Sequence, residues 1–191
     1  IILLASIFLL LNSNLSKRIM FDKNNEINFS SKNIIIFTAQ HTAHYKTGLN
    51  MFFEKPLIGQ GPKMFRKLCN RYDYFEIIIK KNGDMYTGCS SHPHNTYVQL
   101  LSETGIIGAI IFSLGFFHIL INFVKHLIFL FFKKGKKLTD YQIVINVTAL
   151  IVFWPFSPNG NLFNNWMLII YSLSITLYVN EYFKYKKFKA Y

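Results

Sequence analysis

Residues 89 to 108 read CSSHPHNTYVQLLSETGIIG, and the left half of that run carries the side chains best suited to chemistry. His94 is followed by Asn95 and preceded by Pro93, a residue favoured in the first turn of a helix because its missing N–H has no intrahelical partner there. No breaker interrupts Asn95 to Thr104, so the pattern predicts one helix from about Pro93 to Phe132 with His94 in its first turn. The positive end of the helix dipole disfavours imidazolium, and a neutral imidazole can take a proton from a hydroxyl. The same helix end, with Asn95 and the upstream Arg66 and Arg71, attracts phosphate. A base beside an anion clamp suggests attack by a hydroxyl on a phosphate-bearing substrate. Two readings compete with this one. His94 could be a structural histidine at a helix start, or His41, His44, His92, His94 and the two cysteines could supply ligands for zinc. Their spacing fits no standard zinc site, so no metal is expected.

The elements that must hold these residues are apolar. The chain has 191 residues, 51% apolar and 16% charged, and its apolar residues cluster in blocks too uniform for the alternating faces of a soluble domain. About 20 apolar residues span the hydrocarbon core. Residues 105–132 meet that length, and residues 143–180 read as a hairpin around the turn Trp154-Pro155-Phe156-Ser157-Pro158-Asn159-Gly160. Residues 1–11 (IILLASIFLLL) are too few to span and lack a signal peptide's basic start, so they read as the end of a truncated helix with further spans upstream. The expected fold is an all-α integral membrane protein, part of a multi-span bundle with a large outer loop over residues 12–104. Residues 133–142 and the basic tail 181–191 hold eight of the 21 basic residues, and short lysine-rich segments stay cytoplasmic. His94 then lies on the opposite side, roughly 16 Å above Gly105 at 1.5 Å per helical residue. The net charge of +12 is explained by this topology, and no nucleic-acid partner is expected.

Within the loop, residues 12–33 read as a polar connector and residues 41–53 as an amphipathic helix with Tyr45, Leu49, Phe52 and Phe53 on one face. Pro56, Gly59, Gly61 and Pro62 force a tight turn, and a helical turn from Pro62 would offer its N-terminus to an anion. The glycines and Lys63 lack the spacing and preceding strand of a P-loop. Residues 75–81 with Asn82-Gly83 read as a short strand and turn. Cys69 and Cys89 are the two cysteines of the chain, and an oxidising compartment would favour a disulfide between them.

His94-Asn95, nine residues and then Gly105-x-x-Gly108, together with the Phe52–Phe65 run FFEKPLIGQGPKMF and Glu103, resemble the signature of the O-antigen ligase and O-antigen polymerase family. The resemblance spans about residues 41–125. It implies a multi-pass protein of the bacterial inner membrane with its active site on a periplasmic loop. Such enzymes move a glycan from undecaprenyl diphosphate to an acceptor hydroxyl, with no metal, nucleotide-sugar or other cofactor. The partners would be the undecaprenyl-diphosphate-linked glycan, lipid A core or a growing polysaccharide, and membrane lipids. By the same resemblance His94 activates the acceptor with Asn95 beside it, Arg66 and Arg71 hold diphosphate, and Gly105 and Gly108 allow close helix packing. A ligase is the leading expectation and a polymerase the alternative. A transporter or scaffold would need ionisable or polar groups inside its spans, for which His118, Asn122 and Lys125 are the candidates.

Overall fold

The computed structural model describes residues 37–80, 82–134 and 137–188, so the expectations for residues 1–11 and 12–33 lie outside the described residues. The first element is α1, Ala39–Glu54. Thr38 caps it by accepting from the His41 N–H, and Pro56 two residues beyond its end disfavours helical backbone in the residue before it. A single turn, α2, follows at Phe65–Leu68. Strands β1 (Ile77–Ile79) and β2 (Met85–Thr87) then pair antiparallel across the Asn82-Gly83 turn, with Ile78 opposite Tyr86.

The long helix α3 covers Thr96–Phe132 but is broken at Gly105, whose φ of 66° and ψ of −166° belong to a region open essentially to glycine alone. The uninterrupted helix expected from the sequence is therefore two stacked helices, and the 16 Å height of His94 that assumed one rod does not carry over. The short α4 (Asp140–Val152) begins with a capping box between Thr139 and Gln142, and α5 (Asn165–Phe188) returns along it.

Two cores result. Ala109, Phe116 and Ile119 of α3 pack with Ile145 and Ala149 of α4 and with Tyr171 of α5. Met51, Phe65, Cys69 and Tyr74 form a separate core in the loop. Outside the bundle, Ile107, Ile110, Ile111, Leu114 and Phe117 are exposed on one stretch of α3. Among the described residues, Thr96–Phe132 is the one helix long and apolar enough to cross a membrane. An outward apolar face of this kind suits hydrocarbon, because a helix satisfies its own backbone there.

Candidate functional site

The break at Gly105 is where the Pro56–Gly61 loop docks. A helix interrupted in mid-course strands carbonyls on one side and N–H groups on the other. The loop supplies both kinds of partner. Gln60 and Gly61 donate their N–H groups to the carbonyls of Ser102 and Glu103 at 2.9 Å each, and Ile106 donates to Pro56 O at 2.8 Å. The fit requires bare backbone on both sides. A β-carbon on Gly59 (φ +66°) would lie 2.6 Å from Gly105 N, and one on Gly105 would lie 2.6 Å from Ile58 N. Gly105 thus serves loop docking rather than the helix–helix packing expected for it, while a β-carbon on Gly108 would meet the side chain of Thr104 within the same helix.

Glu103 fixes the next part of the loop. Its side chain is buried and accepts from Phe65 N–H at 2.7 Å through one oxygen and from the Gln99 amide at 2.9 Å through the other. The anion expected at the turn after Pro62 is therefore the protein's own carboxylate, and the turn begins at Phe65, because Lys63 takes a left-handed conformation (φ 63°). Gln99 continues the network by donating to Asn161 Oδ1 at 2.8 Å and accepting from Leu162 N–H at 2.9 Å, which ties the loop to the α4–α5 connection.

That connection also holds the histidine segment. Asn95, expected beside His94 as a second reactive group, is the N-cap of α3. Its side-chain oxygen accepts from the N–H groups of Tyr97 and Val98, and its amide donates to Pro155 O at 2.7 Å. Capping by Asn starts the helix at Thr96, so His94 stands one residue before the cap, not in the first turn. His94 is left-handed (φ 57°), an uncommon backbone for a non-glycine residue, and Asn159 N–H grips its carbonyl at 3.0 Å.

Around the His94 ring stand three others, with centroids 4.2 Å away for His92, 5.1 Å for His44 and 5.8 Å for His41. Two of them have their protons assigned by their partners. His44 Nδ1 faces the carbonyl of Gly88 at 3.0 Å, so it carries the hydrogen, and Nε2 accepts from the Gln40 amide. His92 Nε2 likewise donates to Asn159 O at 3.1 Å, while Nδ1 accepts from the Ser91 hydroxyl. His94 has no side-chain hydrogen bond among the described residues. Burial, then the nearness of His92, His44 and His41, lowers its pKa to about 4. Its neutrality at pH 7 comes from desolvation and like-charged neighbours rather than from the helix dipole alone. Burial likewise lowers His41, which also feels His44.

The two arginines differ. Arg71 is engaged: it donates to Asp73 and to the Tyr74 hydroxyl at 3.0 Å each, lies 3.9 Å from Glu54, and stacks on the Tyr74 ring. Arg66 is exposed and makes no hydrogen bond or ion pair among the described residues. Cys69 and Cys89 are joined as a disulfide, their Cα atoms 5.0 Å apart, which fastens α2 to the strand leading into the histidines. In the bundle, Asn122 spends its amide on the hydroxyl of Tyr178 at 2.7 Å and the carbonyl of His118 at 3.0 Å, and His126 accepts from Leu138 N–H. The Tyr178 contact joins α3 to α5, and the Leu138 contact ties α3 to the segment before α4.

The O-antigen ligase family model matches residues 1–113, more than half of the chain, ending in α3 beyond the Gly105 break. The chain belongs to the O-antigen ligase family. No curated protein and no solved structure matches it. Members of the O-antigen ligase family are membrane-bound, glycosyltransferase-like enzymes of the ligase or polymerase kind, which handle a glycan and a polysaccharide acceptor in lipopolysaccharide biosynthesis. The matched residues contain α1, the docked Pro56–Gly61 loop and all four clustered histidines.

The sequence pointed to His94, Asn95, Arg66 and Arg71, and offered His41, His44 and His92 only as potential metal ligands. It gave no signal for Asn159, Asn161 and Gln99, whose importance is entirely one of position. Gln99 stands among other polar residues, with Thr96, Ser102 and Glu103 on the same side of the helix, and nothing in their order names its partner.

Proposed function

We propose that this protein transfers a glycan from undecaprenyl diphosphate to a hydroxyl of lipid A core, at the periplasmic face of the bacterial inner membrane, as an O-antigen ligase. The observation that carries this reading is the His94 ring: neutral, without a hydrogen-bond partner, and surrounded by imidazoles of which two are already committed to carbonyls. A general base must be unprotonated at working pH and must have a free nitrogen for the proton it removes.

In the proposed reaction the acceptor hydroxyl attacks the anomeric carbon, and its proton passes to the free nitrogen of His94. The bond from that carbon to the diphosphate oxygen breaks, and undecaprenyl diphosphate leaves with the electron pair. Attack opposite the leaving group inverts the anomeric centre. Charge builds on the diphosphate as the bond breaks, so a cation near it lowers the barrier. Arg66 is the better candidate, because its exposed guanidinium makes no hydrogen bond or ion pair among the described residues and only a longer-range attraction to Glu103, whereas Arg71 would have to leave Asp73 and Tyr74. Asn95 acts indirectly, by holding the residue before it against the Pro155–Asn159 turn. No cofactor takes part in this scheme.

The test is His94→Ala in the whole protein in its own membrane. Transfer should be abolished with the protein still inserted, and long polymer should accumulate on undecaprenyl diphosphate without being attached to lipid A core. Accumulation of single repeats instead would make the enzyme a polymerase. Undiminished transfer would refute the mechanism.

A further inference from the structure

An open cleft of about 440 Å³ lies against Cys89 of the disulfide, lined by Arg66, Asn70, Phe75, Thr87, Ser90 and Ser91, the last of which is hydrogen-bonded to His92. That volume is within the range of small-ligand clefts. Resting on the transferase reading above, the geometry points to this cleft as the cradle for the sugar directly attached to the diphosphate of the donor.

The side chains match that chemistry group by group. A pyranose presents an apolar face of C–H bonds and an edge of hydroxyls, and it is held by an aromatic side chain against the first and by neutral donor–acceptor groups along the second. Phe75 supplies the aromatic surface, and it is only partly covered by the protein. Asn70 supplies an exposed amide with no hydrogen bond among the described residues. Ser91 has its proton engaged by His92 Nδ1 at 2.9 Å, which leaves the hydroxyl oxygen free to accept from a sugar hydroxyl. Arg66 is the one ionisable residue in the lining, and Glu103, the carboxylate that its charge acts on, is not part of that lining.

The neighbours of the cleft select the occupant. Arg66 sits in it one helical turn before Asn70, and Ser91 leads through its hydrogen bond to His92, whose ring is 4.2 Å from that of His94. Displacement at an anomeric carbon puts the attacking hydroxyl and the departing phosphate on opposite sides of one sugar. The sugar being transferred must therefore lie between the base and the cation, and this cleft has Arg66 in its lining together with Ser91, the hydrogen-bond partner of the imidazole next to His94. A sugar of the acceptor would lie on the far side of His94 instead.

The experiment uses the whole protein in native membranes, with the undecaprenyl-diphosphate-linked glycan extracted from the same membranes as donor and glycan-free undecaprenyl diphosphate as competitor. Asn70→Ala is the chief variant, because that exposed amide has no structural partner to lose. Its donor KM should rise by about tenfold, the effect of one or two lost hydrogen bonds, with kcat and acceptor KM unchanged. Inhibition by glycan-free undecaprenyl diphosphate should stay at the wild-type level in Asn70→Ala and weaken in Arg66→Gln, which separates sugar recognition from phosphate recognition. Asn70→Gln should recover part of the loss, and Phe75→Leu should raise the donor KM in the same sense. An unchanged donor KM in both Asn70→Ala and Phe75→Leu, with transfer still dependent on His94, would overturn the cradle and leave the transferase reading standing. A change in acceptor KM alone would also overturn it. Transfer that survives His94→Ala would sink the reading beneath it.

Discussion

Replacing Gly105 by alanine tests the docked loop most directly. The residue sits at φ 66° and ψ −166°, where an L side chain adds strain on the order of 1–3 kcal/mol. The added β-carbon would also lie 2.6 Å from Ile58 N and press on the Leu57 carbonyl, so the loop could not stay where it is. Undocking gives up the hydrogen bonds from Gln60, Gly61 and Ile106 across the break, each contributing about 1 kcal/mol net. The combined effect is on the order of 4 kcal/mol, or roughly a thousandfold shift in the docking equilibrium. Because Glu103 would then lose its hold on Phe65, the Arg66 turn would come away with the loop. The assay is limited trypsin digestion of membranes, since Lys63, Arg66 and Lys67 lie in the released segment. Cleavage there should accelerate strongly and transfer should fall at least a hundredfold, with insertion unaffected. Gly115→Ala, at a position with open space around it, is the control and should behave as wild type or slightly better. A Gly105→Ala protein that resists trypsin and transfers glycan at the normal rate would refute the account of the break.

Four further outcomes are expected. With His94 at about 4, the acid limb of kcat/KM should fall well below the 6.5 of an ordinary imidazole, so activity at pH 5.5, where an unperturbed histidine is roughly one-tenth neutral, should stay near its pH 7 value. A limb near 6.5 would contradict this, and His92→Phe should move the limb upward by removing a like-charged neighbour from a coupled set. The folded protein resists protonating His94 more than the unfolded chain does, so this group stabilises the fold above about pH 6.5 and loses that contribution as pH falls toward 4. Reducing the disulfide, or making Cys69→Ser with Cys89→Ser, opens a link between cysteines 20 positions apart and should cost about 3 kcal/mol of loop stability, read by thermal unfolding; non-reducing peptide mapping should recover the joined Cys69 and Cys89 peptides. Glu103→Ala should destabilise the loop by about 1–3 kcal/mol by leaving Phe65 N–H and one of the two Gln99 amide hydrogens without an acceptor, and Glu103→Gln should do less harm; equal trypsin sensitivity in the two would argue against the carboxylate as the anchor.

Sequence alone determined the features that depend on local order. The apolar block of α3 shows as a long apolar helix because hydropathy is a property of consecutive residues; α1 reads as a helix from spacing in the same way, but of its expected face Tyr45, Leu49, Phe52 and Phe53 only Tyr45 is buried, and the packed side is the one carrying Ala43, His44 and Met51. The His94-Asn95 and Gly105-x-x-Gly108 pattern pointed to the family that the match over residues 1–113 shows. Tertiary structure decided everything that needs a partner far along the chain. Gly105 reads as a small residue in a helix until the Pro56–Gly61 loop, more than forty residues earlier, is seen to fill the gap that its backbone opens. Asn95 reads as chemistry until its cap and its bond to Pro155 are seen. Four histidines at positions 41, 44, 92 and 94 become one electrostatic unit only when α1 packs across the start of α3, because desolvation and charge repulsion act through space over a few ångströms and leave no trace in the order of the residues.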